Sequence, residues 1–284
     1  MTTDAPFDHP QVAALIALAI AEDLGRGDWT SEATVPETAR ASGRLLAKQD
    51  LVVCGLPLLD RVFGRLGPVA CRVLATEGEI ARAGDVVATV EGHARTLLAG
   101  ERLALNLVQH LCGIATLTRR YVERVAGTGL VVRDTRKTAP GMRLLAKYAV
   151  RTGGGSNHRL GLDDAILVKD NHLTLGGGDF DSAVRASRAV RPGLPLEVEC
   201  RTLAEVERAL AAEPDLILLD NMSLDDLAAA VRLVGGRVPL EASGGITLEE
   251  LPAVAATGVR YVAIGALTHS APAVDLSLKL EPIG

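Results

Sequence analysis

The chain has 284 residues, of which 48% are hydrophobic and 23% are charged, and its formal net charge is −5 at pH 7. This length fits two domains or one barrel with additions, and the mean hydropathy of +0.23 excludes an intrinsically disordered chain. The negative net charge gives no reason to expect a nucleic acid or an anionic membrane as a partner.

Four cysteines are scattered along the chain without metal-ligand or redox spacing, and they are Cys54, Cys71, Cys112 and Cys200. We expect them to be reduced thiols that pack as small hydrophobic residues.

The first ten residues lack the basic and apolar regions of a secretory signal. Apolar runs are short and interrupted by charge, which argues against a membrane span. We therefore expect a cytoplasmic protein.

The first part of the chain predicts a mixture of helices and strands. Apolar residues recur at helical spacing over 12–24, and strand-like runs follow at 42–47, 69–75 and 86–90. A long amphipathic helix is predicted over 96–126, with Gly113 as the site of a bend. Its length suggests that it leads from one domain into the next.

From residue 130 onward, short apolar runs alternate with helical segments, and the last four runs follow one another at a spacing of roughly twenty residues. The runs lie at 130–133, 165–169, 195–199, 216–220, 239–243 and 261–265. This alternation predicts parallel strands joined by crossover helices. No G-x-G-x-x-G turn follows the first run, which disfavours a dinucleotide-binding fold. We predict a β/α barrel, although six strands are fewer than the eight of a closed barrel.

Polar residues stand at the carboxyl ends of five of these six runs. They are Asp134 to Lys137, Lys169, Glu197 with Glu199, Asp220 with Asn221, and Glu241 with Ser243. Functional residues of β/α barrels gather at this edge of the strands. A single charged strand end would indicate only solvation, but five in succession predict one shared site.

Glycines at the last two strands indicate a phosphate site. Ser243-Gly244-Gly245 precedes a helix, and Gly265 follows the final run. Glycines allow backbone N–H groups to approach an anion, and a helix N-terminus favours negative charge. Barrels often bind phosphate in the loops after their last two strands.

A basic segment lies between the first two strands of the predicted barrel. Residues 133–172 hold eight Lys or Arg residues against four acidic ones, in a chain that is acidic overall. A local cationic pocket suits a small polyanion better than a nucleic acid, which usually meets an extended basic face. Arg136 and Lys137 stand side by side; arginine binds carboxylates in a bidentate manner and lysine acts as a point charge for phosphates.

Two acidic residues end neighbouring predicted strands. Glu199 and Asp220 should face the cavity that holds the lysines, and carboxylates beside phosphates commonly bind magnesium. They are also able to stabilise a cationic sugar. Glu197 and Glu199 project from the same face of a strand, so one of them is alternatively a structural partner of an arginine.

Over nearly its whole length the chain resembles the quinolinate phosphoribosyltransferase family. The matching motifs are EDLGRGDWTS at 22–31, GERLALNLVQHLCGIAT at 100–116, the segment at 134–172, EVE at 197–199, LLDN at 218–221 and EASGGI at 241–246. The resemblance implies an α/β fold in two domains. An N-terminal α/β sandwich would span 1–112, joined by the C-terminal tail at 272–284, and an incomplete, open β/α barrel would span 113–271.

The resemblance also implies roles for individual residues. Quinolinate would be bound by Arg102 of the partner subunit in a homodimer with shared sites, and by Thr135, Arg136, His158, Arg159 and Lys169. Phosphoribosyl pyrophosphate would be bound by Lys137, Glu199, Asp220, Ser243, Gly244, Gly245, Gly265 and His269. The catalytic residues would be Lys137, Lys169, Glu199 and Asp220, with Mg²⁺ held by Glu199 and Asp220 directly or through water.

The implied reaction joins quinolinate to phosphoribosyl pyrophosphate and gives nicotinate mononucleotide, pyrophosphate and carbon dioxide. It needs no organic cofactor, because the quaternary ring nitrogen itself stabilises the carbanion that remains when the adjacent carboxylate departs as carbon dioxide. Lys137 and Lys169 are both candidates for the proton donor.

Three alternative functions are a paralogue with another acceptor, a nicotinate-specific transferase and a non-catalytic phosphosugar-binding protein; the complete basic segment disfavours the first two. The presence of Lys137, Glu199 and Asp220 disfavours the third.

Overall fold

The computed structural model describes residues 5–283, and the chain divides into two compact units. One unit comprises the residues up to Arg119, Thr138–Gly154 and the residues from Leu267 onward. The other comprises Arg120–Lys137 and Gly155–Ala266. We refer to them as the N-terminal unit and the strand–helix unit. Among residues 5–283, no helix combines the length and the apolar character that crossing a membrane requires.

Twelve strands are present in the described chain. They are β1 (Arg40–Ala47), β2 (Leu51–Val52), β3 (Val69–Val73), β4 (Ile80–Ala81), β5 (Val86–His93), β6 (Val131–Arg133), β7 (Ile166–Val168), β8 (Leu196–Cys200), β9 (Leu216–Asp220), β10 (Leu240–Ser243), β11 (Tyr261–Ala263) and β12 (Leu276–Ile283).

Eleven α-helices are present in the same residues, together with a short 3₁₀ turn at Pro6–Asp8. They are α1 (Pro10–Leu24), α2 (Trp29–Thr34), α3 (Leu58–Leu66), α4 (Ala94–Arg124), α5 (Arg143–Thr152), α6 (Asp170–Leu175), α7 (Phe180–Val190), α8 (Leu203–Ala211), α9 (Leu224–Val234), α10 (Leu251–Ala256) and α11 (Ala266–His269).

The N-terminal unit contains an antiparallel sheet in the order β12-β1-β5-β3. Exposed and buried residues alternate along β1, as expected for a strand with one covered face. The C-terminal strand β12 pairs with β1 along its whole length, with Leu278 opposite Leu45. The chain therefore returns to this sheet after completing the other unit.

Helix α4 runs without interruption through Gly113, the residue at which we predicted a bend. A close approach of the backbone explains the glycine. A Cβ atom at this position would lie 2.2 Å from the carbonyl oxygen of Pro272, a distance that no side chain tolerates. Gly113 thus lets the segment before β12 pass directly over the helix.

The strand–helix unit contains one parallel six-stranded sheet in the order β6-β11-β10-β9-β8-β7. All six strands coincide with the predicted apolar runs, and the sheet is open between β6 and β7 in the described chain, so the predicted open barrel is confirmed. Most residues of these strands are buried. The helices start soon after the strands because polar caps are present; for example, Ser223 Oγ accepts a hydrogen bond from Asp226 N at 3.1 Å.

Candidate active site

A cavity of about 220 Å³ lies within the strand–helix unit. It is lined by Thr135, Arg136, Lys137, His158, Arg159, Leu167, Lys169, Leu218, Asp220, Glu241, Ser243 and Ala263. The parallel direction of the strands brings their carboxyl ends to one edge, which explains why residues separated by more than a hundred positions meet here. Four lining residues are basic and two are acidic, so the cavity suits an anionic ligand.

Eight of the predicted site residues line this cavity together: Thr135, Arg136, Lys137, His158, Arg159, Lys169, Asp220 and Ser243. Gly244 and Gly245 line a second cavity of about 230 Å³ that also includes Ser243. Gly265 follows β11 in the same unit and is half-buried.

Two predicted residues belong to the N-terminal unit. Arg102 lies on α4 and is exposed. His269 ends α11, is also exposed, and has its Nδ1 atom 2.6 Å from Ser270 Oγ. Their part in the site remains a prediction.

The buried carboxylate of Asp134 shapes the wall of the cavity. Asp134 follows β6 and accepts hydrogen bonds from His158 N at 2.9 Å and from Asn157 Nδ2 at 2.5 Å. These bonds hold the loop that carries His158 and Arg159. The sequence identifies Asp134 only as a strand-end residue, and no sequence pattern indicates these partners.

The His158 ring has protein partners at both nitrogens. Nδ1 accepts a hydrogen bond from Arg159 N at 2.8 Å, so the proton of a neutral ring resides on Nε2. Nε2 lies 2.8 Å from Glu197 Oε2 and 3.4 Å from Glu241 Oε1. The ring orientation is therefore fixed by three residues of the protein.

A buried acidic group lies beneath this histidine. Glu241 is fully buried, and its Oε2 accepts a hydrogen bond from Arg133 Nη1 at 2.6 Å. Burial raises the pKa of the Glu241 carboxyl to about 7, and the neighbouring charge of Glu197 adds to this shift, whereas Arg133 and His158 oppose it. From the sequence, Glu241 is a strand-end residue without a predicted role.

Arginine side chains are held close together at the cavity. Burial lowers the pKa of the Arg159 guanidinium, and the like charge of Arg136 lowers it further. Arg159 Nη1 also donates a hydrogen bond to Ala165 O at 3.0 Å, which fixes its direction. Two guanidinium groups held this way repel each other, and an anionic ligand relieves that repulsion.

Two further groups of charged residues lie at the strand ends. Lys169 Nζ donates to the buried carboxylate of Glu199. Asp220 Oδ2 accepts a hydrogen bond from Asn221 Nδ2 at 2.8 Å and lies 3.9 Å from Arg201 Nε. Glu197 and Glu199, two residues apart on β8, thus have different partners, a histidine and a lysine.

Among the described residues, a cluster of three side chains and the single residue Asp220 are candidate metal ligands. The ligand atoms of His158, Glu197 and Glu241 all lie within 4.8 Å of one another. Arg133 already supplies a positive charge there and the imidazole N–H a hydrogen-bond donor, so we interpret this group as a hydrogen-bonded cluster. Asp220 instead lines the open cavity and offers the carboxylate oxygens that Mg²⁺ prefers.

Comparison with known proteins agrees with this geometry. Residues 28–112 match the N-terminal domain and residues 114–279 the C-terminal domain of the family described as quinolinate phosphoribosyl transferase. A probable nicotinate-nucleotide pyrophosphorylase (carboxylating) of Synechocystis sp. is 46% identical over 269 residues, covering 92% of this chain and 90% of that protein. The nicotinate-nucleotide pyrophosphorylase (carboxylating) of Mycobacterium leprae is 46% identical over 290 residues, covering 99% of this chain and 100% of that protein.

A solved structure is similar over the whole length as well. The crystal structure of NadC from Streptococcus pyogenes superposes with a TM-score of 0.92 at 39% identity, and the match covers 100% of both chains. Matches to both domain families, together with full-length relatives at this level of identity, establish the family. The chain belongs to the quinolinate phosphoribosyltransferase family.

Proposed function

We propose that the residues of the basic cavity carry out the reaction of the family. The chain is a phosphoribosyltransferase that joins quinolinate to phosphoribosyl pyrophosphate and releases carbon dioxide and pyrophosphate, giving nicotinate mononucleotide for NAD biosynthesis. The observation that carries the assignment of residues is the meeting of Arg136 and Arg159 in one cavity with Asp220 and Ser243. A dicarboxylate and a phosphate ester need these two kinds of group side by side.

The arginine side of the cavity is proposed to bind quinolinate. Arg136 and Arg159 would each take a carboxylate, and Lys169 and Thr135 would complete the contacts. His158 lies against the same cavity, but its ring nitrogens contact Glu197 and the Arg159 backbone. We therefore propose that the His158 ring forms part of the cavity wall, contacts quinolinate there and fixes the backbone of Arg159.

Phosphoribosyl pyrophosphate is proposed to bind where the basic cavity meets the second cavity at Ser243. Ser243, Gly244 and Gly245 would hold the 5-phosphate, and Gly265 and His269 would extend this subsite. Lys137 and Asp220 would face the pyrophosphate group. Asp220, and Glu199 directly or through water, are the proposed ligands of Mg²⁺, which would neutralise charge on the pyrophosphate.

The chemistry required of the protein is mainly electrostatic. Lys137 would stabilise the negative charge that develops on the departing pyrophosphate, and the carboxylate of Asp220 or Glu199 the positive charge on the ribose. The pyridine nitrogen forms the new bond to the anomeric carbon and becomes cationic. When carbon dioxide departs, the electron pair of the broken bond stays on the adjacent ring carbon as a carbanion, which the cationic nitrogen stabilises. Lys169 or Lys137 would then supply a proton to that carbon.

The complete site is proposed to include a second subunit. Arg102, exposed on α4, would reach the quinolinate carboxylate of a partner in a homodimer. A cytoplasmic location is proposed with it, on the grounds given by the sequence alone.

One assay tests the assignment of the reaction. The purified protein with Mg²⁺ and phosphoribosyl pyrophosphate should release labelled carbon dioxide from carboxyl-labelled quinolinate and form a nicotinate nucleotide. Nicotinate offered instead of quinolinate should give little product, because one carboxylate leaves an arginine without a ligand. A folded protein that shows no turnover with quinolinate, or that prefers nicotinate, would contradict the proposal.

A further inference from the structure

Asn221 has an unusual backbone conformation at the edge of the site. Its φ angle is +55°, and Glu213 is the one other non-glycine residue with positive φ among residues 5–283. Asparagine tolerates this left-handed region better than most residues, yet it remains less favourable than for glycine. A conformation of this kind at a strand end, next to a cavity, requires an explanation from its contacts.

The backbone of Asn221 extends the pairing of β9 with β10. Asp220 is opposite Ser243 in the sheet, and Asn221 N donates a hydrogen bond to Ser243 O at 2.9 Å. The positive φ then turns the chain away immediately after this bond. The carboxyl end of β9 is thereby tied to the residue that begins the glycine turn.

The side chain of Asn221 lies against two residues of the proposed site, Asp220 and Gly244. Its Nδ2 donates to Asp220 Oδ2 at 2.8 Å. Its Oδ1 lies so close to Gly244 that a Cβ atom on Gly244 would be only 2.2 Å away. Gly244 has φ +108° and is therefore restricted to glycine for two reasons, its own backbone and the adjacent amide.

We propose that Asn221 is a positioning residue that sets the distance between the Asp220 carboxylate and the Ser243–Gly245 turn. This inference rests on the proposed function, in which Asp220 faces the pyrophosphate and the turn binds the 5-phosphate. Phosphoribosyl pyrophosphate carries both groups on one ribose, so its affinity depends on the spacing of the two subsites. A ligand with only one of the groups can adjust its position and depends on that spacing much less.

The test replaces the amide without disturbing the backbone. Asn221→Gly keeps the positive φ at no steric cost and removes both side-chain contacts. Glu213→Gly is the matched control, because it relieves the same backbone conformation at an exposed residue that lines neither of the two cavities. Thermal unfolding should show that both variants are folded, with cooperative transitions, because glycine adopts the positive φ without strain.

Calorimetric titration then compares three ligands in the presence of Mg²⁺: phosphoribosyl pyrophosphate, ribose 5-phosphate and pyrophosphate. We expect Asn221→Gly to weaken phosphoribosyl pyrophosphate by about tenfold and each fragment by less than about twofold. KM for phosphoribosyl pyrophosphate should rise by a similar factor, and KM for quinolinate should stay within about twofold. Glu213→Gly should leave all of these values unchanged.

The outcomes separate this inference from the function on which it rests. An unchanged protein that fails to bind phosphoribosyl pyrophosphate would overturn the proposed function and the inference together. If the unchanged protein binds it and Asn221→Gly binds it equally well, the inference alone is wrong. The inference is also wrong if the fragments lose affinity by the same factor as the whole substrate, since that result indicates a local contact in place of spacing.

Discussion

Arg133 Nη1 lies 2.6 Å from Glu241 Oε2, and the glutamate side chain is fully buried beneath the cavity. Glu197 and His158 complete the surroundings of this carboxylate. A buried acid beside a second acid holds its proton more tightly than it does in the unfolded chain, and the raised pKa of about 7 reflects this. The cluster therefore links the stability of the fold to pH.

Glu241→Gln should change the pH dependence of stability. Because the pKa of Glu241 rises from 4.5 to about 7 on folding, the folded state binds an extra proton between these pH values. The free energy of unfolding of the unchanged protein should therefore fall as pH rises through this window, by up to about 3 kcal/mol. Above the folded pKa the fall should stop.

Urea unfolding at pH 5, 6 and 7.5 measures the effect. Glu241→Gln cannot titrate, so its curve should lack this fall, and its stability relative to the unchanged protein should improve as pH rises. The exposed Glu207→Gln is the control and should follow the unchanged protein. Parallel curves for Glu241→Gln and the unchanged protein would contradict the buried titration.

Gly113→Ala and Gly64→Ala should shift stability in opposite directions. A methyl group on Gly113 would meet the Pro272 carbonyl oxygen at 2.2 Å, and backbone cannot move aside cheaply, so we expect a loss of about 1–3 kcal/mol. Gly64 lies in α3 with no atom within 4 Å of an added Cβ. Alanine there should gain about 0.5–1 kcal/mol. Denaturant unfolding measures both, and a gain for Gly113→Ala would show that the close approach is absent.

Local patterns predicted the strand–helix unit well. The buried parallel strands are short continuous apolar runs, as the strand Leu216–Asp220 illustrates, and the spacing of the last four strands leaves room for one helix between neighbours. Helix α5 was not predicted, because we interpreted its segment only through its basic residues, as part of a cationic pocket; in the structure Leu145 and Ala149 are buried. The pairing of β12 with β1 joins residues more than 200 positions apart, and no periodicity carries that information.

The site was predictable in its composition and less so in its contacts. Alternation along β8 placed Glu197 and Glu199 on one face, but their partners depend on where the loop after β6 and the end of β7 come to lie. Glu197 meets His158 and Glu199 meets Lys169. These contacts depend on the order of the strands in the sheet. That order follows from long-range packing, which the spacing of residues along the sequence does not reveal.

Arg159→Lys should weaken quinolinate selectively. Lysine keeps the positive charge and loses the planar fork that binds a carboxylate through two hydrogen bonds. We expect KM for quinolinate to rise by about 10- to 100-fold and KM for phosphoribosyl pyrophosphate to stay within about twofold. Arg185→Lys, an exposed arginine on α7, is the matched control and should behave as the unchanged protein. Equal increases in both KM values would indicate a general distortion of the cavity and would argue against a carboxylate clamp.

Mixing two inactive variants tests the shared site. Arg102→Ala and Arg136→Ala should each abolish turnover as homodimers, since each removes a proposed quinolinate ligand. In a mixed dimer with sites shared between subunits, one site combines an intact Arg136 with the partner's intact arginine, and the other site lacks both. Random exchange of subunits makes half of the dimers mixed, so activity should recover to about a quarter of the unchanged value. Mass spectrometry of differently tagged subunits verifies exchange. If exchange is complete and no activity returns, Arg102 acts within its own subunit or outside the site.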